Sequence, residues 1–446
     1  MGGPSGGGVR PTVGRRPASW EARPGTLRAF PPASCGLGGR TGRITVDTTR
    51  STRTTRSARS AGGRAGRESG RRSVGRAHRS WSAVGLVAAA ALALVACSDG
   101  DPDGTGGTGT SGSSSAPSRT SPATAAATTE VVTGLDAPWS VVPVGDSGDA
   151  LISERDSARV LELRADGSTR DVGTVPGVRH GGEGGLLGLA LHDGDLFVYS
   201  TADDGNRVQR FSLTGDTGSY RLGDATTVLD GLPRNTFHDG GRIAFGPDGM
   251  LYVSVGDAGD RPAAQDRDSL AGKILRVTPD GTVPDDNPFP GSPVWSLGHR
   301  NVQGMGWAAD GTMFAAEFGQ DAWDELNVVV AGENHGWPEV EGVGGEDRGF
   351  VDPVQQWATD DASPSGLAVI GDTVYVANLR GESVRAVPVA EPTTSTVSFA
   401  GEFGRIRTVL AGPDDTLWFV TNNTDGRGDP RDGDDRILSV PLRELD

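Results

Sequence analysis

The chain has 446 residues and a formal net charge of −16, split unevenly: residues 1–96 hold 17 Arg against the acids Glu21, Asp47 and Glu68, which leaves 25 basic against 55 acidic residues over 97–446. So sharp a switch marks a boundary. The acidic part lacks the clustered cations that phosphate contacts need, which excludes nucleic acid as a partner, and like-charge repulsion disfavours an anionic membrane surface.

In chain order, residues 1–78 are rich in Gly, Arg, Ser and Pro with little apolar periodicity, and such a composition cannot bury enough surface to offset ordering entropy. The expectation is a disordered extension, and a start nearer Val74 would make residues 1–73 no part of the product. Residues 79–96 read as a signal peptide. Arg76 and Arg79 precede the apolar run 84–96 (VGLVAAAALALVA), which is short for a membrane span and right for a signal core. It ends Leu94-Val95-Ala96-Cys97, and this resembles the bacterial lipobox, in which the cysteine becomes the lipidated first residue. The alternative is an ordinary signal peptide with an incidental Cys97. The lipobox reading makes the protein an exported cell-envelope lipoprotein, held to the outer face of the membrane through its lipid alone. Residues 97–129, rich in Gly, Ser, Thr, Pro and Ala, then form a flexible tether.

Residues 130–446 show few helix signals. A Gly/Asp turn followed by alternating apolar residues recurs six times, beginning at Gly148, Gly194, Asp248, Asp310, Gly371 and Asp414. The spacing, roughly 40 to 60 residues, is that of propeller blades. Radial stacking of four-stranded sheets buries faces that one sheet cannot bury alone. The predicted fold is all-β, a six-bladed β-propeller, with a β-sandwich as runner-up. In a propeller, loops from distant parts of the chain meet at the axis.

Several loops carry candidate chemistry. Residues 179–192 (RHGGEGGLLGLALH) present Glu183 among glycines, a pattern that close strand packing also explains. His238 sits in a polar turn before a hairpin over 241–255 that turns at Pro247-Asp248-Gly249. A lone loop histidine is more often a hydrogen-bonding residue than a base. Arg300 and Asn301 lie between Trp295 and Trp307, and Arg300 offers a planar donor fork that an interstrand ion pair would equally employ. Acids crowd the turn at 316–327 (AEFGQDAWDELN), where hard oxygen ligands would suit calcium and solvated acids are the plainer account. Arg380 follows the fifth hairpin. Arg405 and Arg407, two apart on a strand, point to one side and make a clamp for carboxylates or for neighbouring acids. The acidic tail 424–436 (TDGRGDPRDGDDR) reads as a turn held by Asx hydrogen bonds, outside the active site, with a peripheral calcium as an option.

Taken together, GEGGLLGLALH, HDGGRIAFGPDGMLYVSVGD, LGHRNVQGMGW, EFGQDAWDELN, GENHGWPEV, SPSGLAV, NLRG, GRIRTV and DGRGDPRDGDDRIL resemble the soluble pyrroloquinoline-quinone (PQQ)-dependent sugar dehydrogenases, with the aldose sugar dehydrogenases and the glucose/sorbosone dehydrogenase domain nearest. The resemblance spans about residues 130–446. It implies a six-bladed propeller that oxidises the anomeric carbon of an aldose to the lactone, passing hydride to PQQ and electrons to a separate acceptor. It assigns His238 as catalytic base and Arg300 as the contact to the quinone oxygens. Asn301, Arg380, Arg405 and Arg407 become cofactor contacts, and the carbonyls of Gly319 and Gln320 become calcium ligands. Glu183 stands where the glucose enzyme has a sugar-touching glutamine, Phe237 where it has an acid, Gln320 where it has a proline and Arg380 where it has a lysine. These departures leave the sugar open. Two other classes stay in view: a calcium-dependent propeller lactonase, which needs carboxylates converging on a metal, and a non-catalytic propeller that binds sugar or protein.

Overall fold

The computed structural model describes residues 127–445. The basic extension, the signal segment, Cys97 and nearly all of the tether lie outside the described residues. From Thr129 on, the chain forms 24 strands in six four-stranded antiparallel sheets. Five blades are each one continuous stretch of chain. They run from inner to outer strand as Pro138–Pro143 to Thr169–Thr174, Leu186–His192 to Arg221–Leu232, Ile243–Phe245 to Val294–Leu297, Val302–Trp307 to Gln355–Ala358, and Pro364–Ile370 to Thr396–Ser398.

The sixth blade is built from both ends of the domain. Ile406–Gly412, Thr416–Thr421 and Ile437–Pro441 supply three strands, and Thr129–Val132 adds the outer one through Val132 opposite Ile437. The inner strands neighbour one another in a ring, the sixth packing on the first. A closed ring leaves no face of a blade to solvent and no long inner edge unpaired.

All six repeats found in the sequence become second strands of blades: Ala150–Glu154, Asp195–Thr201, Leu251–Val255, Met313–Glu317, Thr373–Asn378 and Thr416–Thr421. Their alternation does not separate core from solvent, since Leu251–Val255 is buried at every position. It separates two neighbours. Leu251, Val253 and Val255 pack with Phe197 and Tyr199 of the second blade, while Tyr252 packs with Met305 and Met313 of the fourth. In the sixth blade Leu417 and Phe419 face the fifth, and Trp418 and Val420 face the first. Successive side chains leave a strand on opposite faces, so one hairpin serves two interfaces.

Ile437 is fully buried opposite both Val132 and Val420, at the seam that closes the ring. Ile437→Ala is expected to destabilise the protein by about 2–5 kcal/mol, the usual cost of a large-to-small change in a packed core, read as a shift in denaturant midpoint.

Candidate active site

In a four-stranded blade, the link into the inner strand and the loop between the second and third strands emerge at one end. A cavity of about 270 Å³ opens there. Glu183, His238, Arg300, Ser363 and Arg405 line it from just before the inner strands of blades two to six. Gly319 and Gln320 come from the loop between the second and third strands of blade four and Asp324 from the start of the third strand, Arg380 from the corresponding loop of blade five, and Arg427 from that of blade six.

His238 takes a left-handed backbone, φ 60°, a strained choice for a residue with a side chain. Its surroundings hold it there. The backbone N–H donates to Glu183 Oε2 at 2.8 Å, and the carbonyl accepts from Ala258 N at 3.3 Å. Gly256 must lack a side chain, because a Cβ there would stand 1.9 Å from the His238 carbonyl oxygen. The ring Nδ1 lies 2.6 Å from Asp257 Oδ1. Asp257 also accepts Gly259 N–H at 2.7 Å and Trp337 Nε1–H at 2.8 Å. Burial alone would raise the Asp257 carboxyl, but the hydrogen bonds from His238, Gly259 and Trp337 hold it below the usual carboxylate range. An ionised carboxylate can only accept, so in the neutral ring Nδ1 carries the proton and Nε2 the lone pair. Phe237, 42% exposed, stands edge-on to the imidazole at 4.7 Å.

Arg300 is a fixed cation. Gln320 Oε1 accepts from its Nε at 3.2 Å and Nη2 at 2.8 Å, and the Phe318 carbonyl accepts from Nη1 at 3.0 Å. Its guanidinium lies 5.6 Å from the Trp337 ring, and burial lowers its pKa. The neighbouring turn is held from beneath: Glu341 Oε1 accepts the N–H groups of Gln320, Asp321, Ala322 and Trp323, while Asp324 Oδ1 accepts that of Gly319. Among the described residues no hydrogen bond reaches the carbonyl oxygens of Gly319 or Gln320. Free carbonyls beside Asp324 are donors of the hard type that calcium takes.

Arg405 and Arg407 converge on one oxygen, Asp425 Oδ2, at 3.2 and 3.5 Å. Arg405 borders the cavity, and its Nε is buried without a partner among the described residues. A planar guanidinium with a spare buried donor fits a carboxylate ligand. Arg380 stands at the rim, exposed and paired with Asp360 at 2.6 Å.

The chain carries a match to the glucose/sorbosone dehydrogenase family model over residues 135–429. It is 30% identical over 347 residues to the aldose sugar dehydrogenase YliI of Escherichia coli, covering 68% of this chain and 92% of that one. Its fold matches the structure of the PQQ-bound aldose sugar dehydrogenase of Streptomyces coelicolor at 48% identity and TM-score 0.68, covering 72% of this chain and 99% of the other. A structure described as a glucose dehydrogenase from Thermus thermophilus matches at 40% identity and TM-score 0.64, with 71% and 99% covered. This chain belongs to the glucose/sorbosone dehydrogenase family. It is an oxidoreductase of that family, and the sequence resemblance and the six-bladed fold agree.

Of the ten residues the family resemblance singles out, seven line the cavity and three, Phe237, Asn301 and Arg407, do not. Asn301 is buried behind it, where Oδ1 accepts Gly240 N–H at 3.0 Å and Nδ2 donates to Glu183 Oε2 at 3.2 Å. It ties three loops together. Arg407 is also behind, with its Nε and Nη2 on Asn422 Oδ1 at 2.9 and 2.8 Å and Nη1 on Gln303 Oε1 at 2.8 Å. Burial pushes it down to about 9.

The acidic tail requires a correction. It does form an Asx turn, Arg427 N–H to Asp425 Oδ1 at 2.9 Å. It is not outside the site, however: Arg427 lines the cavity 3.5 Å from Glu183, and Asp425 carries both arginines. The reason is topological, since this loop follows the second strand of blade six and must emerge at the same end as the turn of Gly319 and Gln320 in blade four. Asp257, Trp337 and Asp425 were not singled out from sequence. For Asp257 and Asp425 the available signal was position, because a loop that follows any of the six repeated strands lands at this rim; Trp337 lies in the long link between the third and fourth strands of blade four and carried no such signal.

Behind Arg300 sits a buried carboxylate pair. Glu317 accepts Arg300 N–H at 2.8 Å, His299 Nδ1 lies 2.9 Å from it, and Asn327 Nδ2 bridges it to Glu325. Burial raises Glu317 to about 7, and burial with the nearby Glu317 charge raises Glu325 to about 8. An acid whose folded pKa is raised binds more protons folded than unfolded, so stability falls as pH climbs from the unfolded value near 4.5 to the folded one. Melting temperature is therefore expected to decline between about pH 4.5 and pH 8 through this pair, and Glu325→Gln to flatten that decline, stabilising the protein at pH 8 relative to pH 5.

Proposed function

We propose that this oxidoreductase is a quinoprotein that oxidises the anomeric carbon of an aldose to the lactone with PQQ and calcium, and passes the electrons to a separate acceptor. The observation that carries this reading is one cavity with an oriented histidine base on one wall and a buried, unpartnered guanidinium donor on another.

Arg300, Arg405 and Arg380 would hold the three carboxylates and the quinone oxygens, and the carbonyls of Gly319 and Gln320 would hold calcium. When bound, the quinone supplies a carbonyl carbon that accepts hydride, and the calcium polarises its oxygens. His238 Nε2 accepts the proton of the anomeric hydroxyl as the C1–H bond gives up its electron pair and the C1–O bond becomes double. Asp257 stabilises the imidazolium that results and keeps its ring in place. Arg300, rigid against Gln320 and Phe318, stabilises negative charge as it develops without having to reorganise. Glu183, bound through Oε2 to His238 N–H and Asn301, borders the sugar side, and the exposed Phe237 ring stands edge-on to the base where the glucose enzyme has an acid. A lactonase would require carboxylates to dominate the lining, and here Glu183 and Asp324 stand against four arginines.

The full chain with added PQQ and calcium is expected to reduce an artificial dye in the presence of an aldose, needing both additives. His238→Ala should lower the rate by about 10²–10⁴, the weight of a positioned base. Turnover without quinone, or an undiminished rate in the variant, contradicts this reading.

The same proposal includes export and anchoring through Cys97, supported by the apolar run and the LVAC sequence before it. In a bacterial host the protein is expected in the membrane fraction, and Cys97→Ala to release it; an unchanged distribution overturns the anchor.

A further inference from the structure

Arg242 lies just before Ile243–Phe245, the inner strand of blade three, and the mechanism above does not use it. It is buried and reaches the inner strands of three other blades. Its Nε donates to the Gln303 carbonyl at 2.8 Å, Nη1 to Ser140 Oγ at 3.4 Å and Nη2 to Thr408 Oγ1 at 3.3 Å. All three acceptors are neutral. Its guanidinium stacks 4.3 Å from the centre of the Trp139 ring, which Arg407 approaches at 6.0 Å. Burial pushes its pKa down to about 9, and among the described residues no carboxylate opposes the shift. Arg300 and Arg407, by contrast, face Asp257, Asp425 and other acids.

A buried cation with no counter-charge is a costly thing for a fold to keep, and apolar side chains would fill the axis better. The connections of Arg242 lead toward the cavity. Gln303 accepts from Arg242 through its backbone carbonyl and from Arg407 through Oε1. Arg407 shares Asp425 Oδ2 with Arg405, and Arg405 borders the cavity with a free Nε. Three guanidinium groups thus follow one another from the axis to the cavity wall with one carboxylate, Asp425, between them.

We propose that Arg242 is a positioning residue that supplies an unneutralised charge on the propeller axis, whose counter-ion is the anionic cofactor in the cavity. This rests on the quinone reading above. In a low-dielectric interior such a charge acts over distance, favouring binding of a polyanionic quinone and favouring its more negative reduced form.

The experiment compares the full chain with Arg242→Met and Arg242→Lys, titrated with PQQ in the presence of calcium and measured for melting temperature and for the midpoint potential of the bound quinone. Arg242→Met is expected to melt, without quinone, no lower than wild type, to bind quinone about tenfold or more weakly, the weight of one charge-assisted interaction, and to show a more negative potential. Arg242→Lys keeps the charge and loses the fork, so it should melt lower yet hold its quinone affinity within about threefold. If both variants melt lower and bind quinone at the wild-type affinity and potential, Arg242 is a structural plug and the inference fails. Should the Met variant not fold, Arg242→Gln takes its place as the neutral variant: quinone affinity lowered about tenfold while Arg242→Lys stays within about threefold supports the inference, and wild-type affinity in Arg242→Gln overturns it. If wild type itself binds no quinone, the quinone reading falls and takes this inference with it.

Discussion

Asp257 accepts three hydrogen bonds on its two carboxylate oxygens, from His238 Nδ1, Gly259 N and Trp337 Nε1. Much of the site follows from that. The bonds keep the carboxylate ionised, an ionised carboxylate fixes the imidazole proton on Nδ1, and the other nitrogen is left as a base. The strained backbone of His238 persists because Glu183 and Ala258 hold its N–H and carbonyl on either side. Trp337 links this wall to the next, since its ring also lies under Arg300. Base and electrophilic cation are thereby referenced to one indole.

A second constraint is charge. The part of the chain from residue 97 onward is strongly acidic, yet the cavity gathers Arg300, Arg380, Arg405 and Arg427. Burying arginines costs desolvation, and the fold offsets it with planar, well-matched partners: Gln320 and Phe318 for Arg300, Asp425 and Asn422 for the arginines of blade six. The compensation is incomplete at Arg405 Nε and at Arg242, and these are the positions from which an anionic ligand would be felt.

The blades were legible in the sequence because each second strand is a Gly/Asp turn followed by apolar residues, and a ring of like sheets needs the same hairpin six times. The alternation is legible as strand, but a period of two looks alike whether the second face meets solvent or another blade, so it does not say which neighbours each face meets. His238 and the Arg405/Arg407 pair were legible from local chemistry and from resemblance. Asp257 and Arg427 were not, because their roles come from where loops emerge, and convergence at one rim belongs to the ring; Trp337 was not, because it reaches Asp257 from the long link between the third and fourth strands of blade four. Asn301 and Arg407 show the complementary limit. Adjacency in sequence to a lining residue does not give access to the cavity: Asn301 follows Arg300 and is turned under it, and Arg407 follows Arg405 two positions on and is buried by Asn422 and Gln303.

The most direct test of the account is a crystal structure of the protein grown with PQQ and calcium. The expected result is the tricarboxylate seated between His238 and Arg405, with Arg300 on its quinone oxygens and a calcium ion on the carbonyls of Gly319 and Gln320. Quinone bound elsewhere on the propeller, or a cavity that stays empty at saturating quinone, would contradict it.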